Sequence, residues 1–276
     1  MPVKMPVMKR RDIAGMTFIL AMSQAQGAEP TLRWIGSLGP SFPVAAPAAV
    51  SDDGKTVVGQ ATGSGGVSRP FRWRDSTGFQ DLGSFGGLSG AATGVSANGL
   101  VVVGWSTDPQ LRSKGFRWIA ATGLVDLGAL SGQPTEALAV NGAGNEVFGQ
   151  SDQAFRWRGG QPVGLSTLGG PASAALGCTR DGNWVAGWSM TPSMLQVACV
   201  WNDVAIIPIY SPWARRAEAR AVADGGLAVV GTALDSIGQS HAFSWSLADG
   251  MRFLPTWGLS ATALGVSQDG NTTVGL

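Results

Sequence analysis

Residues 71–106, FRWRDSTGFQDLGSFGGLSGAATGVSANGLVVVGWS, contain the unit that the rest of the chain repeats. The signals come in a fixed order: an aromatic strand, a turn, Asp-Leu-Gly, a glycine-rich link, a Val-Ser-x-Asn-Gly turn and a valine-rich strand that closes on glycine. The aromatic strand returns at intervals of 45, 39, 44 and 44 residues. A period of this length is typical of repeat architectures. The copies begin at Phe71, Phe116, Phe155, Cys199 and Phe243.

The turn of each repeat follows an anchor residue that ends a strand rich in alanine and glycine. The residue before the anchor is always glycine or alanine, and the residue three before it is alanine in five copies. Because side chains alternate along a strand, these two positions are predicted to share one face, at a crowded central axis. Asp-Gly or Asn-Gly after four of the anchors predicts a tight hairpin. The anchors are Val50, Val95, Val140, Cys178, Val222 and Val266.

The aromatic strand supplies the core of the unit. Phenylalanine and tryptophan lie two residues apart, on one face, where each buried side chain stabilises the fold by about 2–3 kcal/mol. The arginine between them points to the other face. With a short strand near Asp-Leu-Gly, the unit has four strands in about 44 residues, the proportion of a propeller blade.

The two ends of the chain complement each other. The last repeat stops at Gly275-Leu276, after its second strand, whereas Leu32-Arg33-Trp34 and Gly36-Ser37-Leu38-Gly39 read as a third and a fourth strand with nothing before them. Pairing the two ends would remove both open sheet edges. We therefore expect an all-β, six-bladed β-propeller, a single domain over residues 29–276, whose last blade is closed by the N-terminal strands.

Residues 1–28 have the parts of an export signal peptide. A basic start, an apolar run over residues 13–22 and a small-residue cleavage site follow one another, and the run is too short to span a bilayer. A retained N-terminal segment is the alternative, and Lys9-Arg10-Arg11 leaves the Sec and twin-arginine routes both open. We expect a secreted, periplasmic or cell-surface protein with no transmembrane span after signal removal.

Charge excludes one class of partner. The leader holds four of the 19 basic residues and one of the 18 acidic residues, so the mature chain has a net charge of −2. No basic stripe with interleaved aromatic residues is present, and we expect no nucleic acid partner.

The repeat resembles a known family. Ser240-His241-Ala242-Phe243, the Phe-Arg-Trp copies, Asp-Leu-Gly and Ser-x-Asp-Gly-x-x-Val-Val-Gly are similar to the HAF repeat of exported bacterial proteins, over residues 31–276. The resemblance implies export and a β-propeller-like fold, but little about activity. Some members carry a C-terminal autotransporter barrel.

Few residues offer catalytic or metal-binding chemistry. His241 is the only histidine, and its slot in other repeats holds Arg69, Lys114, Gln153 or Val197. We therefore expect no catalytic residue, no metal and no cofactor. Cys178 occupies an anchor position and Cys199 the position of the repeat phenylalanine; a disulfide is open, but two core residues are favoured.

Binding residues are expected where a repeat departs from the pattern, because loops carry binding on a rigid scaffold. The largest departure is residues 206–218. Aromatic faces beside arginine suit sugars, acidic groups or a protein partner, and packing between blades is the alternative. The candidate ligand-binding residues are Tyr210, Trp213, Arg215 and Arg216, with Trp105 and Trp188, which follow the closing glycine of a second strand.

The sequence thus favours an exported, monomeric, non-catalytic binding or scaffold module, with a polysaccharide or a surface protein as partner. One alternative is a propeller-type glycoside hydrolase or lyase, which needs two carboxylates about 5–10 Å apart. Another is a passenger fragment of a larger, autotransporter-like surface protein. The acids with no assigned turn role are Asp108, Glu136, Glu218 and Asp235.

Overall fold

The computed structural model describes residues 35–211, 213–255 and 260–276. The predicted signal peptide and Leu32-Arg33-Trp34 lie outside these residues. In the described part, 22 strands form six antiparallel sheets, five of four strands and one of two. The all-β class and the four-stranded repeat are confirmed.

Every sheet is built from consecutive strands, each antiparallel to the one before it. Sheet 1 contains β1 Val44–Val50, β2 Thr56–Thr62, β3 Ser68–Arg74 and β4 Gly78–Asp81; sheet 2, β5 Gly90–Val95, β6 Val102–Thr107, β7 Ser113–Ile119 and β8 Gly123–Asp126; sheet 3, β9 Glu136–Val140, β10 Val147–Gln150, β11 Ala154–Trp157 and β12 Val163–Gly164; sheet 4, β13 Ser173–Cys178, β14 Val185–Met190, β15 Gln196–Trp201 and β16 Ile206–Ile209; sheet 5, β17 Arg216–Val222, β18 Val229–Leu234, β19 Ser240–Ser246 and β20 Gly250–Phe253; sheet 6, β21 Ala263–Val266 and β22 Thr273–Gly275.

One register recurs in the first five sheets. The closing glycine of the second strand lies opposite the first core residue of the third strand, as Gly104 does opposite Phe116. A Cβ at Gly104 would lie 2.1 Å from the carbonyl oxygen of Ala91 and 2.9 Å from the Phe116 ring. Glycine is therefore required at this position because there is no room for a Cβ atom. The equivalent pairs are Gly59 and Phe71, Gly149 and Phe155, Gly187 and Cys199, and Gly231 and Phe243.

The crowded first strands carry a β-bulge, which overturns one prediction. The register shifts between Ala92 and Gly94, because Thr93 is an extra residue that reverses the alternation of side chains. Ala92 therefore packs in the core with Phe116, whereas a Cβ at Gly94 would face sheet 3, 3.5 Å from Val140. Ala92 and Gly94 therefore lie on opposite faces of the strand, and each allows a different neighbouring sheet to pack closely.

The hydrophobic core consists of clusters between successive sheets. Val58 of sheet 1 packs with Val102, Phe116 and Trp118 of sheet 2, and Leu82 of the intervening link completes this cluster. Phe116 is fully buried and Trp118 nearly so. The predicted core role of the aromatic strand is confirmed.

The arginines of the aromatic strands join one sheet to the next. The Arg72 guanidinium lies 4.5 Å from the centre of the Trp118 ring, and Arg117 lies 6.0 Å from that of Trp157. Arg117 also donates a hydrogen bond to the carbonyl oxygen of Gly144 in sheet 3, at 2.9 Å. Desolvation lowers the pKa of both arginines. The arginines therefore lie on the face of their strand away from its aromatic residues, as predicted, and there they contact the next sheet.

The N-terminal end departs from expectation. Residues 36–39 form no strand; Gly39 makes only an isolated bridge with Phe42. Gly36 and Gly39 both have positive φ, 91° and 122°, which bends the chain out of an extended conformation. Leu38 packs against the core of sheet 1. The predicted fourth strand is therefore a bent link.

The two cysteines are not bonded to each other. Cys199 is fully buried and Cys178 half-buried, and burial raises the pKa of the Cys178 thiol to about 12. Both therefore act as small core residues. Across the described ranges, no helix has the length and apolar character needed to cross a membrane.

Candidate functional site

The first two strands of a sheet are joined by a turn that a polar side chain closes. The Ser51 hydroxyl donates to Asp53 Oδ1 at 2.6 Å and accepts from the Thr56 N–H at 3.0 Å. Gly54 follows with φ 68°, the left-handed conformation that this turn requires. The same arrangement recurs at Ser96 and Asn98, Thr179 and Asp181, and Ser267 and Asp269.

These hydrogen bonds hold the turn carboxylates in the ionised form. The Ser51 hydroxyl and the Lys55 N–H lower the pKa of Asp53. The pKa of Asp269 falls to about 2, first because of the Ser267 hydroxyl and then because of two donors on Asn271. The turns therefore present fixed negative charge at neutral pH.

Backbone hydrogen bonds join the turns of sheets 1 to 4 in one series and those of sheets 5 and 6 in a pair. The N–H of Asp52 donates to the carbonyl oxygen of Ala97 at 3.2 Å, Ala97 donates to Gly142 at 3.1 Å, and Gly142 donates to Arg180 at 2.8 Å. In the last two sheets Asp224 donates in the same way to Gln268, at 3.0 Å. This backbone ladder ties neighbouring turns together at one end of the assembly.

The turns line a cavity, which we call the axial mouth. The outer part has a volume of about 890 Å³, and a deeper part of about 190 Å³ is lined by residues of all six repeats. Arg180 of sheet 4 reaches Asp52 of sheet 1, with 2.7 Å between Nη1 and Oδ2. Both side chains are about half exposed, so this ion pair contributes little to stability.

The outer part of the mouth is lined mainly by carboxylates. Four carboxylates and one guanidinium line its outer part, and those of Asp53 and Asp181 are engaged in their own turns. No group of three or more His, Cys, Asp or Glu side chains within the described residues is arranged to hold a metal ion.

Sequence reasoning missed the mouth. Its distinctive side chains sit two residues after each anchor, between the constant anchor and the constant glycine. That position holds five different residue types in the six repeats, and this variation inside an otherwise regular turn was the available signal. The residues are Asp52, Ala97, Gly142, Arg180, Asp224 and Gln268.

Three of the predicted binding residues lie on the chain that joins β16 to β17, and the fourth, Arg216, is the first residue of β17. Tyr210 is 61% and Trp213 70% exposed, and Arg215 and Arg216 are exposed beside them. The N–H of Arg215 donates to the carbonyl oxygen of Leu234 at 2.8 Å, which fixes the link against the end of β18. We call these four residues the link surface.

The link surface and the axial mouth lie on opposite faces. First strands run toward the mouth, and the antiparallel order returns each fourth strand to the other end. A link between sheets therefore starts and finishes away from the mouth.

Trp105 and Trp188 occupy a different environment. Both are half-buried on second strands, in sheets 2 and 4. Alternation places Trp105 on the same face as Val103, which packs against sheet 3, and Trp188 on the same face as Ala186, which packs against sheet 5. The structure does not bring Trp105 to the link surface.

The acids left over by the sequence pattern have partners of their own. The Asp108 carboxylate bonds the Arg112 guanidinium at 2.8 Å, and Glu136 accepts from Gln150 at 3.0 Å. Glu218 pairs with Arg220. His241 Nε2 lies 2.9 Å from Asp235 Oδ2, and its ring stacks on Phe253 at 4.9 Å. These groups make contacts within their own sheets and loops.

Comparison with known proteins supports the architecture. The chain is similar to TolB from Acinetobacter baumannii, with a TM-score of 0.58 and 17% identity over 79% of this chain and 56% of that one. A putative TolB from Agrobacterium tumefaciens is similar with a TM-score of 0.56 and 13% sequence identity, over 76% of this chain and 79% of that one. A prolyl endopeptidase is similar with a TM-score of 0.57 and 13% sequence identity, over 83% of this chain and 38% of that one.

These similarities define the class of the fold: four-stranded antiparallel sheets arranged as in β-propellers. At 13–17% identity they show the fold alone. The chain spans little more than half of the first TolB and well under half of the prolyl endopeptidase. No known family pattern and no curated protein matches the sequence.

Proposed function

We propose that this chain is an exported, non-catalytic scaffold that binds a protein partner through the link surface. The observation that carries the proposal is the exposure of Tyr210 and Trp213. In the link between sheets 1 and 2, by contrast, the aromatic residue Phe85 packs against the core. Two large aromatic side chains held in solvent on a fixed link favour a binding role over a packing role.

The composition of the link surface fits a protein interface. Tryptophan, tyrosine and arginine are the residue types that dominate binding energy at such interfaces. Neither Arg215 nor Arg216 has an ion pair with a carboxylate in the described part of the chain. A partner with acidic side chains around an apolar centre would therefore complement this surface.

The neighbouring loops add an apolar rim. Ile237 is exposed in the loop that begins at the end of β18, next to the link. Met194, at the matching loop of sheet 4, is 61% exposed and has φ 63°, whereas Gly238 takes the equivalent position in sheet 5 with φ 83°. The left-handed conformation costs a non-glycine residue about 1–2 kcal/mol. Leu111 takes the same position in sheet 2 with φ 62°, so a left-handed apolar residue is a property of this loop, and Met194 and Ile237 only add exposed apolar area near the link.

Export and blade number are part of the same proposal. We propose six blades because residues of all six repeats line the axial mouth. The basic start, apolar run and cleavage site of residues 1–28 support export. Fusion of this segment to a reporter enzyme that is active only outside the cytoplasm tests export, and an inactive fusion would remove that part of the proposal.

The binding role is tested by cross-linking residues 29–276 to their partner in an envelope extract and identifying the captured protein by mass spectrometry. The affinity of that protein for the chain and its variants is then measured by titration. We expect Trp213→Ala and the double variant Arg215→Ala/Arg216→Ala each to weaken binding about tenfold, which is about 1.4 kcal/mol. Leu111→Ala is the matched control, because Leu111 is 67% exposed in a loop of sheet 2.

Three results would contradict the proposal. Equal binding by the control and the link variants would exclude the link surface. Binding of an anionic polysaccharide with the same variant dependence would replace the protein partner by a glycan. Release of reducing ends from a polysaccharide panel would show catalysis.

A further inference from the structure

The loops that join the second and third strands of sheets 2, 4 and 5 are capped in the same way. They span residues 108–112, 191–195 and 235–239, and in each the N–H of the first residue donates to the carbonyl oxygen of the fifth. The side chain of the first residue also accepts from the backbone of the loop. Asp235 Oδ1, for example, accepts from the N–H groups of Ile237 and Gln239 at 3.0 and 2.9 Å. This first residue, which we call the cap, therefore fixes the loop.

The three loops differ in the charge that meets the cap. In sheet 2, Asp108 Oδ2 accepts from Arg112 Nε at 2.9 Å, so a permanent cation balances the carboxylate. In sheet 4 the cap is Thr191, which carries no charge. In sheet 5, Asp235 Oδ2 lies 2.9 Å from His241 Nε2. Because an imidazole changes charge between about pH 5 and pH 8, the cap of sheet 5 is balanced at one end of that range and not at the other.

The ring of His241 is held in place by its neighbours. It stacks on the ring of Phe253 in β20, with 4.9 Å between the ring centres, and its residue lies opposite Ala233 of β18. The side chains of His241 and Asp235 are both about three-quarters buried, which reduces screening of the pair by water and salt. The ring and the carboxylate therefore meet in a fixed geometry.

Asp235 is the carboxylate that faces this ring. Its hydrogen bond with His241 is the largest of the effects that lower the pKa of Asp235, so the carboxylate stays ionised at neutral pH. Strands β15, β16 and β18 carry no charged residue. The other described charges on elements packed against β19 are two ion pairs and the arginines of the link surface: Glu218 with Arg220, Asp249 with Arg252, and Arg215 and Arg216.

The capped loop of sheet 5 adjoins the link surface. The carbonyl oxygen of Leu234, the residue before the cap, accepts the N–H of Arg215 at 2.8 Å. Ile237, at the tip of the loop, is 84% exposed. The pair formed by Asp235 and His241 therefore begins one residue from the hydrogen bond that fixes the link, and its net charge adds to the field that a partner meets there.

We propose that His241 is a pH-dependent clamp that regulates binding at the link surface. When the ring is protonated, it forms a charge-assisted hydrogen bond with Asp235, holds the loop and balances the carboxylate. When the ring is neutral, that bond is weaker and a negative charge is left beside Arg215 and Arg216. Both effects act in one direction, so an acidic partner binds more tightly near pH 6 than near pH 8. The regulation rests on the proposed function, whereas the clamp itself is measurable without a partner.

NMR on the unbound, isotope-labelled chain tests the clamp. His241 is the only histidine in the sequence, so its ring signals are identified without a variant. We expect the amide shifts of Ile237 and Gln239 to follow the midpoint of the ring titration. Their protection from hydrogen exchange, relative to the intrinsic rate at each pH, should fall about two- to fivefold above that midpoint. The amides of Gln110 and Arg112, in the loop of sheet 2, are the control and should show no such step.

Two substitutions fix the charge of the clamp, and both copy residues that this chain has in the same slot. His241→Lys copies Lys114 of sheet 2 and keeps a positive charge, and His241→Gln copies Gln153 of sheet 3 and removes it. The probe is poly-L-glutamate, because a glutamate carboxyl has an ordinary pKa of about 4.3 and stays ionised from about pH 6 to pH 8. Calorimetric titration at one low salt concentration measures its binding to the parent and both variants.

We expect the parent to bind this probe about two- to fivefold more tightly at about pH 6 than at about pH 8. His241→Lys should keep the tighter binding at both pH values, and His241→Gln the weaker binding at both. Circular dichroism checks that both variants are folded.

The outcomes separate the clamp from the proposed function. Loop amides that ignore the ring titration would overturn the clamp and leave the binding proposal standing. The same pH dependence in the parent and both variants would place the titrating group elsewhere and overturn the regulation. Binding that is absent at both pH values, or unchanged in Arg215→Ala/Arg216→Ala, would contradict an acidic partner at the link surface and, with it, the regulation.

Discussion

Replacing Gly104 by alanine is expected to damage the fold more than any loop substitution, because its Cβ has nowhere to go. That atom would lie 2.1 Å from the carbonyl oxygen of Ala91, 2.8 Å from the Cα of Ala92 and 2.9 Å from the Phe116 ring. The first two contacts are with backbone at the β-bulge, which cannot rotate away as a side chain can. Either β5 and β6 separate or Phe116 leaves its rotamer.

The magnitude follows from these two options. Overpacking a core costs about 1–3 kcal/mol, and each ladder hydrogen bond that is lost adds about 1 kcal/mol. We expect Gly104→Ala to lower the free energy of unfolding by about 3–5 kcal/mol. Gly123→Ala in the same sheet is the matched control, because Gly123 has φ 69° and open space around it. It should cost only the left-handed strain, about 1–2 kcal/mol.

Urea unfolding, followed by tryptophan fluorescence and by circular dichroism, measures both variants against the parent. Coincidence of the two signals would justify a two-state treatment. If Gly104→Ala were no less stable than Gly123→Ala, the close approach of the first and second strands would not explain why glycine recurs at the end of each second strand.

Two further predictions concern polar groups. The Thr179 hydroxyl lowers the pKa of Asp181, so the stability it contributes is present above the unfolded pKa of about 3.9 and is lost as pH falls through the lower folded value. Asp181→Asn copies the turn of Asn98 without a titrating group and should reduce the fall in melting temperature as the pH drops below about 4; an unchanged slope would contradict this assignment. Arg72 is buried on Trp118; its Nη2 donates to Gln80 at 2.9 Å, but its Nε has no hydrogen-bond partner among the described residues. Arg72→Met should therefore stay within about 1 kcal/mol of the parent while Arg72→Ala loses about 2–4 kcal/mol in urea unfolding. Equal losses would show that the charge itself is required.

The repeat made the sheets predictable because its signals are local and periodic. Phe116 and Trp118 lie two apart and must share a face, and Asn98-Gly99 selects a tight turn whatever surrounds it. The bulge at Thr93 has no such signal, since it depends on how closely two sheets approach. For the same reason, the bend at residues 36–39 was not foreseen: Gly36 and Gly39 are compatible with a strand until their positive φ is known.

The candidate site divides along the same physical line. Positions that repeat without change, such as the closing glycines, are fixed by contacts within and between sheets and leave no freedom for recognition. Recognition is therefore expected where the scaffold tolerates variation, and the fold offers two such places: the link surface around Trp213 and the mouth around Arg180. The first is visible in the sequence as a break in the pattern. The second is assembled from one residue of each repeat, and only the arrangement of the sheets brings Arg180 of sheet 4 within 2.7 Å of Asp52 of sheet 1. Because the two places lie on opposite faces, a partner held at the link surface leaves the mouth accessible.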